Sequence, residues 1–356
     1  MTVTDACASL LRGLALCILM AWTSGPAGAQ DIGLALDKGL PDLALFALTK
    51  SESAVSPAGH SLLALQGFLH DPDGPRLQPL SRGQALVPLL RHDPNVNDGI
   101  PSDRITLGGL PFRVAEESQA KDAVLVGLQY SRWTNFSFGR AARLRFAQSW
   151  TAELEPTYGY HHLATSARVC AEQPVARWTW LDGCLTGLYD DDSVDADTSL
   201  TASLGTRKLF ASGLGYHQAS LFVLHAKTKD YGKDILQVGL QTLTARHGMI
   251  GADVIIAEKV EGENTLLYMA GIDWAGRIAD RTLSLGLTHA ATGGASIFGT
   301  PREDRITRLS VEVPVRALDL GGYAERRKST IDAYDRTEFG ITVAFRFDLL
   351  KGWAMR

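Results

Sequence analysis

Taken two residues at a time, the stretch Thr337 to Phe347 (TEFGITVAFRF) separates into two faces. One carries Phe339, Ile341, Val343, Phe345 and Phe347; the other carries Glu338, Gly340, Thr342, Ala344 and Arg346. A period of two marks a strand with one apolar and one wet side. In a transmembrane β-barrel the apolar side meets lipid and the polar side lines a lumen. A half-buried strand of a soluble sandwich alternates in the same way, so the rest of the chain must decide.

The alternation recurs from about Gln84 onward. Strands are expected at 83–92, 122–133, 141–151, 157–169, 177–188, 197–209 and 215–226, then at 233–245, 248–259, 264–276, 281–291, 304–317, 321–331 and 337–348. That is about fourteen, an even number, as single-chain bacterial barrels have. Val124, Val126, Leu128 and Tyr130 oppose Gly127, Gln129 and Ser131; Leu236, Val238 and Leu240 oppose Gln237, Gly239 and Gln241. Leu266, Tyr268, Ala270, Ile272 and Trp274 oppose Gly271 and Asp273, and Leu309, Val311 and Val313 oppose Arg308, Glu312 and Arg316. Inside a sandwich core those charges would be costly, whereas a hydrated lumen accepts them. Gln129, Gln237, Gln241, Asp253, Asp273, Arg308, Glu312, Arg316, Glu338 and Arg346 are therefore the expected lumen-facing residues. Pro314 removes one ladder donor and hints at a bulge. Strand 321–331 is polar on both faces and is expected to protrude beyond a bilayer.

Connection lengths alternate too. With the first strand starting on the periplasmic side, the periplasmic connections are short, as at Arg246-His247. The opposite ones include the longest and most polar: 93–121, the acidic 190–197, and 292–303. This is the asymmetry of an outer-membrane barrel. Aromatic girdles at the two interfaces account for Trp133, Trp150, Trp178, Trp180 and Trp274, with Tyr130, Tyr158, Tyr160 and Tyr268.

Residues 31–75 differ. Leu36, Leu40, Leu43, Ala44, Ala47 and Leu48 recur at helical spacing, and Ser56-Pro57 reads as an N-cap with Pro at the first helical position. Two short amphipathic helices are expected, ended by Asp71-Pro72-Asp73-Gly74-Pro75. Residues 1–29 read as an export signal: Arg12, the apolar run 14–22, then Ala27-Gly28-Ala29 as an A-x-A-like cleavage site. The chain thus divides into 1–29 signal, 30–80 periplasmic helical hairpin, 83–349 all-β outer-membrane barrel, and 350–356 tail.

A formal net charge of -4 over 356 residues offers no basic surplus to meet phosphates, which excludes nucleic acid as a partner. Of four cysteines, Cys7 and Cys17 leave with the signal. The remaining pair, Cys170 and Cys184, is a disulfide candidate in an oxidising compartment, and strand register decides whether their Cβ atoms meet. Asp93, Asn95, Asn97, Asp98 and Gly99 suggest calcium, but an EF-hand places its Gly one position earlier, and an Asx-rich loop bonding its own backbone is the favoured account. His161, His162 and Ser166 lack a nucleophile motif, and neighbouring His on a strand diverge. Catalysis is not expected, and no cofactor or metal is implied.

Three blocks carry a resemblance. His92-Asp93-Pro94-Asn95-Val96-Asn97 follows the first strand; Ile297-Phe298-Gly299-Thr300-Pro301-Arg302-Glu303-Asp304 precedes the twelfth; Arg327 to Thr337, with Ser329, Tyr334 and Asp335, leads into the last. Together they resemble the C-terminal barrel of the surface lipoprotein assembly modifier (Slam) family. That family has a D-x-N-V-N stretch, an F-G-x-x-R-x-D stretch and an S-N-I-x-x-Y-D-Y-x-R stretch at these places. Thr330 and Arg336 depart from the third pattern. The resemblance implies a fourteen-stranded outer-membrane barrel that moves client proteins, often lipoproteins, to the cell surface. The implied partners are outer-membrane lipids and lipopolysaccharide, the exported client, and the barrel-assembly machinery. Family members place tetratricopeptide repeats before the barrel; here only 31–70 corresponds, as one degenerate repeat. A lone repeat builds no concave surface, so a separate periplasmic partner is expected to capture the client. A small-solute diffusion pore and a structural surface receptor are the alternatives.

Overall fold

The computed structural model describes residues 29–50, 57–97, 99–107, 110–193, 195–244, 247–278, 281–297, 299–315, 318–345 and 347–348. The expected signal at 1–28 and the tail at 350–356 lie outside them. Three helices come first: α1 (Ala29–Asp37), α2 (Pro41–Lys50) and α3 (Pro57–Leu65). The sequence reading had two. It missed α1 because only Leu36 of that helix takes part in the apolar pattern read from the sequence.

Seventeen strands follow. The first four are β1 (Gln78–Asp93), β2 (Arg104–Leu107), β3 (Leu110–Arg113) and β4 (Ala123–Gly139). Then come β5 (Ala142–Leu154), β6 (His161–Ala176), β7 (Thr179–Asp191), β8 (Ala196–Ser212) and β9 (Gly215–Thr228). Next are β10 (Gly232–Leu243), β11 (Met249–Ala257), β12 (Thr265–Ile278) and β13 (Arg281–Ile297). The last are β14 (Thr300–Val315), β15 (Leu318–Ser329), β16 (Arg336–Phe345) and β17 (Phe347–Asp348), which carries on from β16. β1 and β4 to β16 are fourteen antiparallel strands, each bonded to its neighbours in chain order, and pairing of β16 with β1 closes the barrel. β2 and β3 form a separate hairpin in the long connection after β1.

The outer face is set by alternation. Val124, Val126 and Leu128 on β4, Leu204 on β8, Val223 on β9 and Leu309 on β14 are all exposed. Phe339 is 67% and Ile341 64% exposed. No second sheet covers them among the described residues, which removes the sandwich reading. Closure gives every strand of the wall a neighbour on both sides, so strands of this kind can cross a bilayer. Among the described residues no helix is long and apolar enough to do so.

Several boundaries differ from expectation. β1 begins at Gln78, inside the stretch assigned to the hairpin region. The expected loop at 292–303 is mostly strand: β13 runs to Ile297 and β14 starts at Thr300, with a register shift between Gly293 and Ser296. Pro314 makes no bulge. It pairs with Asp319 in an unbroken ladder and lies past Glu312, the last β14 residue that β13 engages, so its missing N–H costs nothing there.

The aromatic girdle is also redistributed. Tyr130 and Trp150 do stack on the outer face, centroids 5.4 Å apart. Trp180 instead is 2% exposed and packs on the helices inside the barrel. Trp178, in the turn before β7, meets Phe46 at 5.1 Å and Phe68 at 5.6 Å. Its φ of 57° is one that bulky residues avoid, and two aromatic partners hold it there. Trp133 faces inward, its ring lying over Gly83, where a Cβ would come within 1.9 Å of it. Tyr158 and Tyr160 belong to the connection between β5 and β6, where the Lys121 ammonium lies 5.1 and 5.8 Å from their rings.

Candidate functional site: the barrel interior and its two mouths

The helices fill part of the mouth at which β1 starts. α2 is apolar all round, with Leu43 to Leu48 buried, because it lies inside the barrel rather than on a surface. It packs against Leu209, Tyr216, Leu243, Met249 and Ala275. These five fix which face of β8 to β12 looks inward.

The only acid in the first turn of α2, Asp42, is the anchor. Its carboxylate accepts two parallel bonds from Arg143, at 2.8 and 2.7 Å, and a further one from Arg207. Arg143 also donates to Gln66 and Glu172; Arg207 reaches Glu172 at 2.9 Å and Asp182 at 3.0 Å; Arg145 lies 2.7 Å from Glu172. Asp42 and Arg143 have side chains 1% exposed. Burial would raise the Asp42 carboxyl, but the charges of Arg143 and Arg207 outweigh it and hold it well below the ordinary range. A depressed carboxylate contributes fully at neutral pH; the contribution fades only as pH falls below about 4 toward the depressed value. Helix docking is therefore expected to survive at pH 5. Protease cleavage before β1 appearing between pH 6 and 5 would contradict the anchor.

At the opposite mouth a second network draws on four strands, β1, β5, β6 and β7. Arg91 pairs with Asp93 at 2.7 Å and with Glu153 at 3.0 Å; Glu153 also meets His162 at 2.9 Å, and His162 meets Asp190 at 3.2 Å. Gly127 permits the reach across β4, since a Cβ there would lie 2.7 Å from the Glu153 side chain. His161 turns away to Ser193 and Asp191, and Ser166 bonds Ser149, so these groups form no shared constellation.

The second and third motif blocks meet in space. Arg302 pairs with Asp304 at 2.8 Å and stacks on Tyr334 at 3.6 Å. Asp304 also accepts from Asn264 and neighbours Arg327. Asp335 accepts from the Ser329 N–H at 2.7 Å and from Lys328. Thr330, the departure from the family pattern, ties Glu303 to Pro301 through its hydroxyl. The first block builds its own loop: Asp93 takes the Asn95 N–H, Asn95 is bonded both ways to Gly99, and Asn97 bridges Gln119 and Lys121. Gly299 occupies the turn between β13 and β14 with φ 79°. Phe298 lies outside the described residues.

Alternation from Leu243, Met249 and Ala275 puts Gln237, Gln241, Asp253 and Asp273 on the inner face. Gly251 and Gly271 sit beside the two carboxylates. Gln129 shares its row with Val87 and Thr151. Arg308 lies over Tyr323 at 3.8 Å and 3.5 Å from Glu325; Glu338 is 3.3 Å from Arg336. Arg308 and Glu312 line a lumenal cavity of about 790 Å³ with Arg91, Ser310, Tyr323 and Thr342. Arg316 and the Arg346 side chain lie outside the described residues. Cys170 and Cys184 are paired in register on β6 and β7 and are joined as a disulfide.

Asp42, Arg143, Glu172, Asp182 and Arg207 were not singled out from the sequence. Their one signal was charge at inward positions near strand ends, and the register that unites them is invisible in the chain.

The closing seam joins β1 to β16 and β17. Leu89 to Arg91 pair with Ala344 to Thr342, and Ala85 and Leu86 with Asp348 and Phe347. β1 pairs with β4 along its whole length, from Gln78 to Asp93. Among the described residues, Gln78 to Gln84 have no strand on their other edge.

No protein-family model matches the chain, and no curated protein matches its sequence. Solved structures similar to it are outer-membrane barrels. The outer membrane channel DcaP of Acinetobacter baumannii aligns over 75% of this chain and 97% of its own, at 11% identity and a TM-score of 0.43. OccAB3 of the same organism aligns over 75% and 99%, at 7% and 0.39. CdiB from Acinetobacter baumannii aligns over 77% of this chain and 60% of its own, at 10% and 0.40.

Proposed function

We propose that this chain is an outer-membrane barrel that delivers an exported client protein or lipoprotein to the cell surface. The observation that carries the reading is the seam. Among the described residues five positions of β1 pair with β16 and β17, and Pro88 between them has no N–H to give. If that join parts, the two strand edges offer backbone groups to which an extended polypeptide can add as a strand. The helices obstruct the lumen mouth, which suits a guarded path better than free diffusion. The motif clusters at the far mouth support a client-contacting rim. A separate periplasmic partner supplies the client-binding surface that the three helices lack.

A diffusion pore is the second reading, favoured by the polar 790 Å³ cavity. Deleting the gene separates the two. Delivery predicts that one or more surface proteins disappear while their periplasmic level rises. A pore predicts ion conductance from the purified chain in planar bilayers and an unchanged surface. Unchanged surface proteins with clear conductance would replace the first reading by the second.

A further inference from the structure

One group of polar residues on the outer wall stands at a cavity. On β1, β4 and β5, Gln84, Arg132 and Gln148 form one row across the sheet, and Arg82 stands beside Thr134 in the next. All share the outward face of Val126 and Leu128. Arg132 and Gln148 stand between two aromatic pairs, Tyr130 on Trp150 and Phe136 on Phe146, the latter 6.2 Å apart. Arg82, Arg132 and Gln148 line an outward cavity of about 460 Å³ whose apolar wall includes Phe136, Phe146 and Val169.

The two arginines have no ion-pair or hydrogen-bond partner among the described residues. The inward arginines Arg91, Arg143, Arg207, Arg302 and Arg308 all have one. Alternation also leaves the outward faces of β1, β4, β5 and β6 without a carboxylate, since Asp93, Glu153 and Glu172 point inward. A guanidinium on a lipid-facing wall is costly unless an anion or water meets it. Two facing the same cavity select an anion with several oxygens, which a phosphate provides and a guanidinium can grip through paired bonds. The phenyl and valyl wall then suits acyl chains.

We infer that this cavity binds an anionic phospholipid, its phosphate between Arg82 and Arg132 and its chains over Phe136, Phe146 and Val169. Arg82 lies near the start of β1, so the lipid belongs to the leaflet on the side of the helices. The inference rests on the membrane-spanning reading. A polypeptide occupant is less suited, because the cavity lies over side chains rather than along a strand edge.

The test uses the full chain, delipidated and held in detergent micelles doped with equal phosphatidylglycerol and phosphatidylcholine, with bound lipid read by native mass spectrometry. Wild type is expected to retain phosphatidylglycerol about tenfold over phosphatidylcholine. R82Q/R132Q should bring the ratio near one, with heat-modifiable migration showing that the barrel is intact. R305Q/R326Q, outward on β14 and β15, should leave it unchanged. An equal ratio in wild type, or equal loss in both variants, overturns the inference. So does a preference that survives R82Q/R132Q while that variant loses crosslinks to an exported polypeptide. A chain that stays out of both micelles and vesicles would sink the membrane reading itself.

Discussion

Replacing Arg143 with Ala frees the three helices from the barrel mouth. The substitution leaves Asp42 and Glu172 buried with one guanidinium between them where two had been, and it strands Gln66 as well. Breaking a buried pair by removing one partner typically costs about 3–5 kcal/mol, and with Arg207 still on both carboxylates and Arg145 on Glu172 the loss falls toward the lower end. That is enough to undock a segment held otherwise by the apolar contacts of α2. Two measurements read the outcome. Limited proteolysis should cut N-terminal to β1 far faster in R143A than in wild type, and single-channel conductance should rise severalfold. Asp42→Asn keeps one acceptor oxygen, turns the other into an NH2 donor and removes the charge, while Arg143 still holds Glu172, so it should fall between them. Wild-type protease resistance in R143A would mean that the ion pair is not what holds the helices.

A disulfide across the seam should abolish delivery. Leu89 and Ala344 are directly opposite in the closing ladder, and opposed residues on antiparallel strands lie about 4.5–5.5 Å apart, within the span a disulfide bridges. L89C/A344C, oxidised, pins β1 to β16 with a small bridge on the lumenal face and leaves the loops untouched. Surface display of the client should drop to the level of the gene deletion and return on reduction. Any conductance should be unchanged in both states. Full display with the bond formed would show that the seam stays shut during transport and would redirect the path through the lumen. The native Cys170–Cys184 bond lies on β6 and β7, far along the sheet from the seam, so C170A/C184A is the background in which to run the assay.

The strands were legible because period-two alternation needs only the sequence, and Phe339 and Ile341 show why: neither face depends on a distant partner. Loop 292–303 was misread because Gly293, Gly294 and Pro301 are turn residues by local chemistry, yet a register shift absorbs them within a hairpin. Trp178 and Trp180 were misplaced for a different reason. An aromatic near a strand end serves a membrane interface or an internal plug equally well, and only the position of Phe46 decides. The ion network around Asp42 was illegible for the same cause, since four strands and a helix must first be brought together. Outward Arg82 and Arg132 could have been noticed as breaks in the apolar stripe, but Arg132 follows Tyr130 in a polar run that hides the change of face.

The anchor joins residues 165 positions apart, Asp42 and Arg207, and Asp37 reaches Thr282 across 245. The first part of the chain to emerge therefore has nowhere to settle until the sheet has curled nearly full circle. Contacts so remote along the chain are the slowest to form. In the order of events the plug comes last, and a barrel caught midway through assembly would be an open ring.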